Sequence, residues 1–127
     1  MINRSAFLVS RKEPFFRWLA ALDVPVREQP PREEKAVYLV PQCDHPADAA
    51  KLLDRLCREI FCRELEAWFQ LEEDWPADRS PRVFRDWFDV ELVELVEDLG
   101  RGPIENDEGP EDRHRFDSNP PPPPPPR

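Results

Sequence analysis

Glycine is absent from the first 99 residues of this chain, whose only glycines are Gly100, Gly102 and Gly109. A loop that wraps a phosphate group needs backbone that can take positive φ and approach the ligand closely, and glycine is the residue that provides such backbone. The sequence therefore excludes the glycine-rich nucleotide-binding motifs of Rossmann and P-loop folds from residues 1–99.

The chain divides into an apolar-rich body and a polar tail. Four tryptophans and eight phenylalanines in 127 residues supply bulky side chains for one small core. Residues 100–127 are acidic, proline-rich and nearly free of apolar side chains, and Pro120–Pro126 form an uninterrupted run. We therefore predict one compact α+β domain over residues 1–99 and a disordered tail over residues 100–127, with polyproline II at Pro120–Pro126.

Cysteine usage and the N-terminal sequence indicate the compartment. The chain has an odd number of cysteines, three, which is typical of proteins in a reducing environment. The only early apolar run, Ala6–Val9, is too short for a signal sequence, and no segment approaches the roughly 18 to 20 apolar residues of a membrane span. We therefore expect a cytoplasmic protein without a membrane segment.

Strand and helix patterns alternate in the first 40 residues. Ile2–Ser10 and Ala36–Val40 are rich in strand-forming residues, and we interpret both as strands buried on two faces. Pro14 lies at the start of a segment with helical spacing of its apolar residues, Phe15, Trp18, Leu19 and Leu22. Because a two-stranded sheet is marginal alone, helices must cover it or a second copy must extend it into a homo-oligomer.

A long helix is predicted next, beginning at Asp44 or His45 and running to about Gln70. Its predicted apolar stripe consists of Leu53, Leu56, Ile60, Leu65, Trp68 and Phe69. Its polar face carries opposite charges four residues apart, at Asp54 and Arg58, Arg55 and Glu59, and Glu59 and Arg63. This spacing favours a solvated surface of mutually paired charges.

A third helix is predicted from Ser80 and Pro81 to a C-terminal glycine, Gly100. Its predicted apolar stripe consists of Phe84, Trp87, Phe88, Leu92, Leu95, Val96 and Leu99. The predicted α+β fold is thus a small two-stranded sheet with one short helix, packed against two longer amphipathic helices.

Metal binding is the first chemistry to consider, because four residues of suitable types occur near one another in the sequence: Cys43, His45, Cys57 and Cys62. At 100° per residue, however, positions 57 and 62 of one helix point about 140° apart. The sequence therefore predicts no metal site from these residues.

Carboxylates of the predicted third helix offer the second chemistry, a small carboxylate-dependent hydrolase with a divalent metal. The acids in question are Asp86, Asp89, Glu91, Glu94, Glu97 and Asp98. No histidine is placed to act as their general base, since His45 begins a helix and His114 lies in the tail, and no serine lies in a nucleophile-elbow motif. The sequence predicts no catalytic residue and no cofactor, and the hydrolase remains the alternative to a non-catalytic protein.

Acidic charge is concentrated in one part of the chain. Residues 64–99 hold 12 acidic and 3 basic side chains, whereas residues 1–63 hold 9 acidic and 11 basic ones. A negative field repels nucleic-acid phosphates and anionic membranes and favours a basic protein partner. We therefore predict a non-catalytic interaction or regulatory protein that binds such a partner through an acidic helix face.

Four residues are the predicted partner-binding set: Trp75, Glu91, Glu94 and Asp98. The three acids belong to the predicted third helix. Trp75 lies in the acidic link before it and either caps the core or is exposed as an anchor for the partner.

Several short segments of the chain occur in a recognisable combination: Asn3–Phe7, Pro14–Phe15 with Trp18, Tyr38–Leu39 with Pro41, Trp75–Pro76 and Phe84–Asp89. This combination resembles a group of small uncharacterised bacterial proteins with no established activity, over about residues 2–99. The resemblance implies a bacterial cytoplasmic setting and one compact α+β domain. It assigns no role to any residue, and the proline-rich tail lies outside it.

Overall fold

Three strands and three helices make up the part of the chain that the structure, a computed structural model, describes: residues 2–106. In chain order they are β1 (Arg4–Arg11), α1 (Glu13–Ala21), β2 (Lys35–Pro41), α2 (Pro46–Trp68), α3 (Pro81–Trp87) and β3 (Phe88–Val93). Short 3-10 turns lie at Val26–Glu28 and Glu72–Asp74. The strands form one antiparallel sheet in the order β2-β1-β3, with β1 in the middle.

The strand register divides the side chains between two faces of the sheet. β1 pairs with β2 from Arg4 opposite Pro41 to Ser10 opposite Lys35, and with β3 from Ala6 opposite Val93 onward. Because side chains alternate along a strand, Phe7 and Val9 share one face while Leu8 lies on the other. Phe7 and Val9 belong to the buried core, so theirs is the inner face.

The core lies between the inner face and the three helices, and the ring of Phe88 is at its centre. One phenylalanine from each helix contacts this ring: Phe15 of α1 at 5.8 Å, Phe61 of α2 at 5.2 Å and Phe84 of α3 at 4.9 Å between centroids. All four side chains are buried. The helices therefore pack on a single face of the sheet, around an aromatic cluster.

The predicted third helix is wrong beyond its second turn. It begins as expected, with Pro81 in its first turn and the Ser80 hydroxyl accepting a hydrogen bond from the Val83 amide at 3.4 Å. It ends at Trp87, and Phe88–Val93 form β3 instead. The backbone of β1 needs a partner on its second side, and pairing with these residues satisfies its N–H and C=O groups. Gly100 accordingly ends no helix.

Two further predictions about the architecture need correction. The sheet has three strands instead of two, and only α2, with 23 residues, is a long helix among the described residues. Strand β2 is not buried on two faces, because Val37 and Leu39 are 59% and 47% exposed. The α+β class is confirmed, as are the positions of β1, α1, β2 and α2.

The long helix buries Ile60 and Leu65 of the predicted stripe, whereas Trp68 and Phe69 are partly buried against the core. Leu53 and Leu56 are only half-buried, whereas Leu52, Cys57 and Phe61 are buried. Two of the predicted charge pairs on its polar face, Asp54 with Arg58 and Arg55 with Glu59, do not form among residues 2–106. Asp54 instead accepts a hydrogen bond from Arg85 of α3 at 2.5 Å.

Two further predictions concern the C-terminal tail and membrane segments. Residues 100–106 form no helix or strand, and the rest of the predicted tail, including Pro120–Pro126, lies outside the described residues. No helix among the described residues is long and apolar enough to cross a membrane.

Candidate functional site

The face of the sheet opposite the helices is the candidate site, and we call it the outer face. Its side chains are Ala6, Leu8 and Ser10 of β1, Lys35, Val37 and Leu39 of β2, and Asp89, Glu91 and Val93 of β3. Leu8, Val37, Leu39 and Val93 take no part in the aromatic core. Among the described residues, no helix covers this face.

Apolar and acidic side chains lie on opposite sides of the outer face. The register places Val37, Leu8 and Glu91 in one row across the sheet, with Leu39, Ala6 and Val93 in the next. A third row, Lys35, Ser10 and Asp89, lines a shallow depression of about 300 Å³ together with Leu8 and Glu91. On the outer face, β2 therefore presents Val37 and Leu39 with Lys35 at its start, and β3 presents Asp89 and Glu91 with Val93 at its end.

The two acids of β3 differ in their surroundings. Asp89 is an exposed side chain with the ammonium group of Lys12 at 3.5 Å. Glu91 is exposed and forms no ion pair with any of the described residues. A cation brought to this side of the sheet would therefore meet at least one unpaired carboxylate.

The four sequence-predicted binding residues do not lie on one helix. Glu91 is on β3, and Glu94 follows that strand, its backbone carbonyl accepting a hydrogen bond from Ser5 at 3.3 Å. Asp98 lies in an irregular segment, where its carboxylate accepts a hydrogen bond from the amide of Gly100 at 2.8 Å. The predicted acidic helix face is therefore replaced by an acidic strand and the segment after it.

Trp75 packs against the core, which is the first of the two alternatives predicted for this residue. Its side chain is buried, with 6% exposed, and its indole N–H donates a hydrogen bond to the carbonyl of Phe69 at 2.8 Å. An anchor for a partner needs an exposed ring. The geometry therefore favours packing for Trp75, while its predicted role in partner binding has no support in its position.

The groups considered for metal and thiol chemistry are not assembled for either. Among residues 2–106, no three side chains of histidine, cysteine, aspartate or glutamate are placed to hold a metal ion. The thiols of Cys43, Cys57 and Cys62 are free, and burial raises the pKa of each. Because the thiolate is the reactive form, these cysteines are poor nucleophiles at neutral pH.

A buried charged cluster joins three elements on the inner side of the sheet. Nε of Arg11 on β1 lies 2.9 Å from Oε1 of Glu64 on α2, and the two side chains are only 5% and 4% exposed. The hydroxyl of Tyr38 on β2 donates a hydrogen bond to the other carboxylate oxygen. The guanidinium also lies over the rings of Phe15 and Trp68, at 5.5 and 5.7 Å from their centroids.

Sequence reasoning missed this cluster, although one signal pointed to it. Glu64 follows Ile60 by four residues and Phe61 by three, which places a charged residue on the buried stripe of a helix. A carboxylate in such a position requires a buried cationic or hydrogen-bonding partner. Burial of the phenol and the negative charge of Glu64 raise the pKa of Tyr38 far above its ordinary value.

Comparison with known proteins gives this chain no relative: no family model, no curated protein and no solved structure matches it. The resemblance to small bacterial proteins therefore stays a prediction.

Proposed function

We propose that this protein is a non-catalytic interaction or regulatory protein that binds a basic protein partner along β3. The observation that carries the proposal is the acidic side of an uncovered sheet face, with Asp89 and Glu91 exposed on its last strand. The charge imbalance of residues 64–99 supports the same partner chemistry. The proposal keeps the predicted partner class and replaces the predicted helix face by a strand.

Strand β3 lies at one side of the sheet in the part of the chain that the structure describes. Such an edge strand presents unpaired backbone N–H and C=O groups, which an extended segment of another protein can pair with. Lysine or arginine opposite Asp89 or Glu91 would contribute about 0.2 to 1 kcal/mol per cross-strand pair. We therefore propose a partner segment in which basic residues alternate with apolar ones.

Negative charge beyond β3 would act mainly on the rate of association. Glu94 and Asp98 follow the strand in an exposed segment. Charges at the rim of an interface steer a partner of opposite sign, and salt screens this effect.

The alternative function, a carboxylate-dependent hydrolase, has no support in the geometry, because the described residues bring no three metal-ligating side chains together.

A charge-neutralised variant tests the proposal. Asp89→Asn, Glu91→Gln and Glu94→Gln would be combined, and the probe is a peptide of alternating lysine and valine. Binding is measured by biolayer interferometry at low and high salt. We expect the variant to bind at least about tenfold more weakly at low salt, with a smaller difference at high salt.

A matched control removes the same number of charges elsewhere, through Glu28→Gln, Glu33→Gln and Glu59→Gln, all exposed positions away from β3. The control should bind as the natural chain does. Any protein captured from the source cells is then purified and tested on both variants. Equal association rates for the natural chain and the β3 variant at low salt would contradict the proposal.

A further inference from the structure

The two side strands of the sheet differ in how they are protected against pairing with another strand. β3 carries Asp89 and Glu91 on the outer face, whereas Ala36–Val40 of β2 contain no charged residue. The register of β2 with β1 runs without a bulge over seven residue pairs. Natural edge strands are usually protected by charges, proline or bulges. In β2 such protection is confined to its two ends, Lys35 and Pro41.

We propose that a second copy of this chain covers the free edge of β2. The two β2 strands would pair antiparallel about a twofold axis at Tyr38, the central residue of the strand, so that the two sheets become one sheet of six strands. In this register Val37 of each copy lies opposite Leu39 of the other. The interface is isologous, with the same strand contributed by both copies.

The side chains of β2 suit this pairing. Val37 and Leu39 are 59% and 47% exposed in the single chain, and the pairing brings them side by side on the outer face. Lys35 is the only charged residue of the strand, and it would lie opposite Pro41. No like charges would therefore face one another across the new pair of strands.

Self-pairing of β3 would be opposed by its charges. Opposite residues of two antiparallel strands lie on the same face of the sheet. Pairing centred on Val90 would place Asp89 of each copy opposite Glu91 of the other, and pairing centred on Glu91 would place the two Glu91 side chains opposite each other. Like charges at directly opposite positions are destabilising. Each copy thus has one edge suited to self-pairing, which gives a closed dimer instead of a fibre and leaves β3 available for the basic partner.

Charge-swapped variants test the dimer in the full chain. Val37→Lys with Leu39→Lys would set lysines opposite lysines, and Val37→Glu with Leu39→Glu would set acids opposite acids. We expect the natural chain to sediment as a dimer and each double variant to dissociate at least about tenfold more readily. An equimolar mixture of the two variants should form a heterodimer, because each lysine then faces a glutamate.

Val93→Lys is the control, since Val93 lies on the outer face of β3, two strands away from the β2 edge. It should leave the dimer intact. Dissociation by Val93→Lys as readily as by the β2 variants would indicate stacking of outer faces and overturn the proposal. A natural chain that is monomeric at all accessible concentrations, or a mixture that forms no heterodimer from folded variants, would also overturn it.

Hydrogen exchange on the natural chain tests the same proposal without a substitution. Amides of residues 35–40 whose N–H groups point away from β1 should lose protection when the protein is diluted below the dissociation constant of the dimer, while amides of β3 should not change. Protection of β2 that is independent of concentration would overturn the proposal even if the charged variants failed to fold.

Discussion

The inner and outer faces of one small sheet have opposite chemistry, although the same three strands form both. On the inner face, Phe88 is in contact with aromatic rings from all three helices, and Arg11 is paired with Glu64 out of reach of solvent. On the outer face, Leu39 is about half exposed and Glu91 has no ionic partner among residues 2–106. Alternation along each strand therefore separates the side chains that stabilise the fold from those available to a partner.

The two faces should differ most in how much stability is lost when a side chain is truncated, and Phe88 on the inner face has the largest expected loss. Phe88→Ala removes the ring that α1, α2 and α3 share, and we expect it to lower the free energy of unfolding by about 3 to 5 kcal/mol. Val93→Ala, on the outer face of the same strand, should cost no more than about 1 kcal/mol. Urea denaturation of both variants measures the two values, and similar losses would mean that the faces do not differ in this way.

The second-largest effect on stability is expected at the buried ion pair of Arg11 and Glu64. Glu64→Gln leaves the buried guanidinium of Arg11 with only the half-exposed carboxylate of Glu34, 3.6 Å away, as a counter-charge, and we expect a loss of about 2 kcal/mol. Replacing both residues together, by Arg11→Met and Glu64→Met, should restore most of the stability because no charge is then buried unpaired. A denaturant series on the single and double variants checks this, and additive losses would contradict it.

The smallest expected effect is a change of stability with pH that results from the titration of Tyr38. The pKa of Tyr38 is raised in the folded protein above its ordinary value of about 10, so the folded state holds this proton more tightly than the unfolded state. The contribution of this proton to the free energy of unfolding is complete below about pH 10. It is lost as the pH rises above that value, by at most about 1.4 kcal/mol per pH unit.

Tyr38→Phe should remove this part of the alkaline loss of stability. The variant lacks the hydrogen bond to Glu64 and should be less stable than the natural chain at neutral pH, with the difference narrowing above about pH 10. Thermal unfolding across a pH series measures the difference. Because Tyr38 is the only tyrosine of the chain, its own titration can be followed by ultraviolet absorbance. A difference that stays constant with pH would show that the phenol titrates normally.

Local pattern was sufficient for four of the six helices and strands, β1, α1, β2 and α2, and for the start of α3. The strand-forming residues around Phe7 and Tyr38 and the helical spacing after Pro14 predicted β1, β2 and α1, because each of these signals lies within one short segment. Ser80 and Pro81 likewise marked the first turn of α3. The acidic charge of the region that follows could also be read directly from the residues.

Residues 88–93 show where the sequence by itself was ambiguous. Phe88 and Leu92 fit a helical stripe, but Phe88, Val90 and Leu92 also alternate as a strand does, and the residues alone favoured the helix. The tertiary structure decided otherwise, because β1 needed backbone partners on both of its sides. That choice moved Glu91 from a helix to the outer face of a sheet.

The inner position of Glu64 and the burial of Trp75 were also decided only by the tertiary structure. The carboxylate of Glu64 is compatible with its helix because Arg11 and Tyr38 come from two distant strands to meet it. The indole N–H of Trp75 is satisfied by the carbonyl of Phe69, so the ring can be buried. The sequence by itself determined which short segments form strands and helices and where the acidic residues lie. Only the assembled chain determined which face each residue occupies, because the partners that make burial favourable are far apart in the sequence.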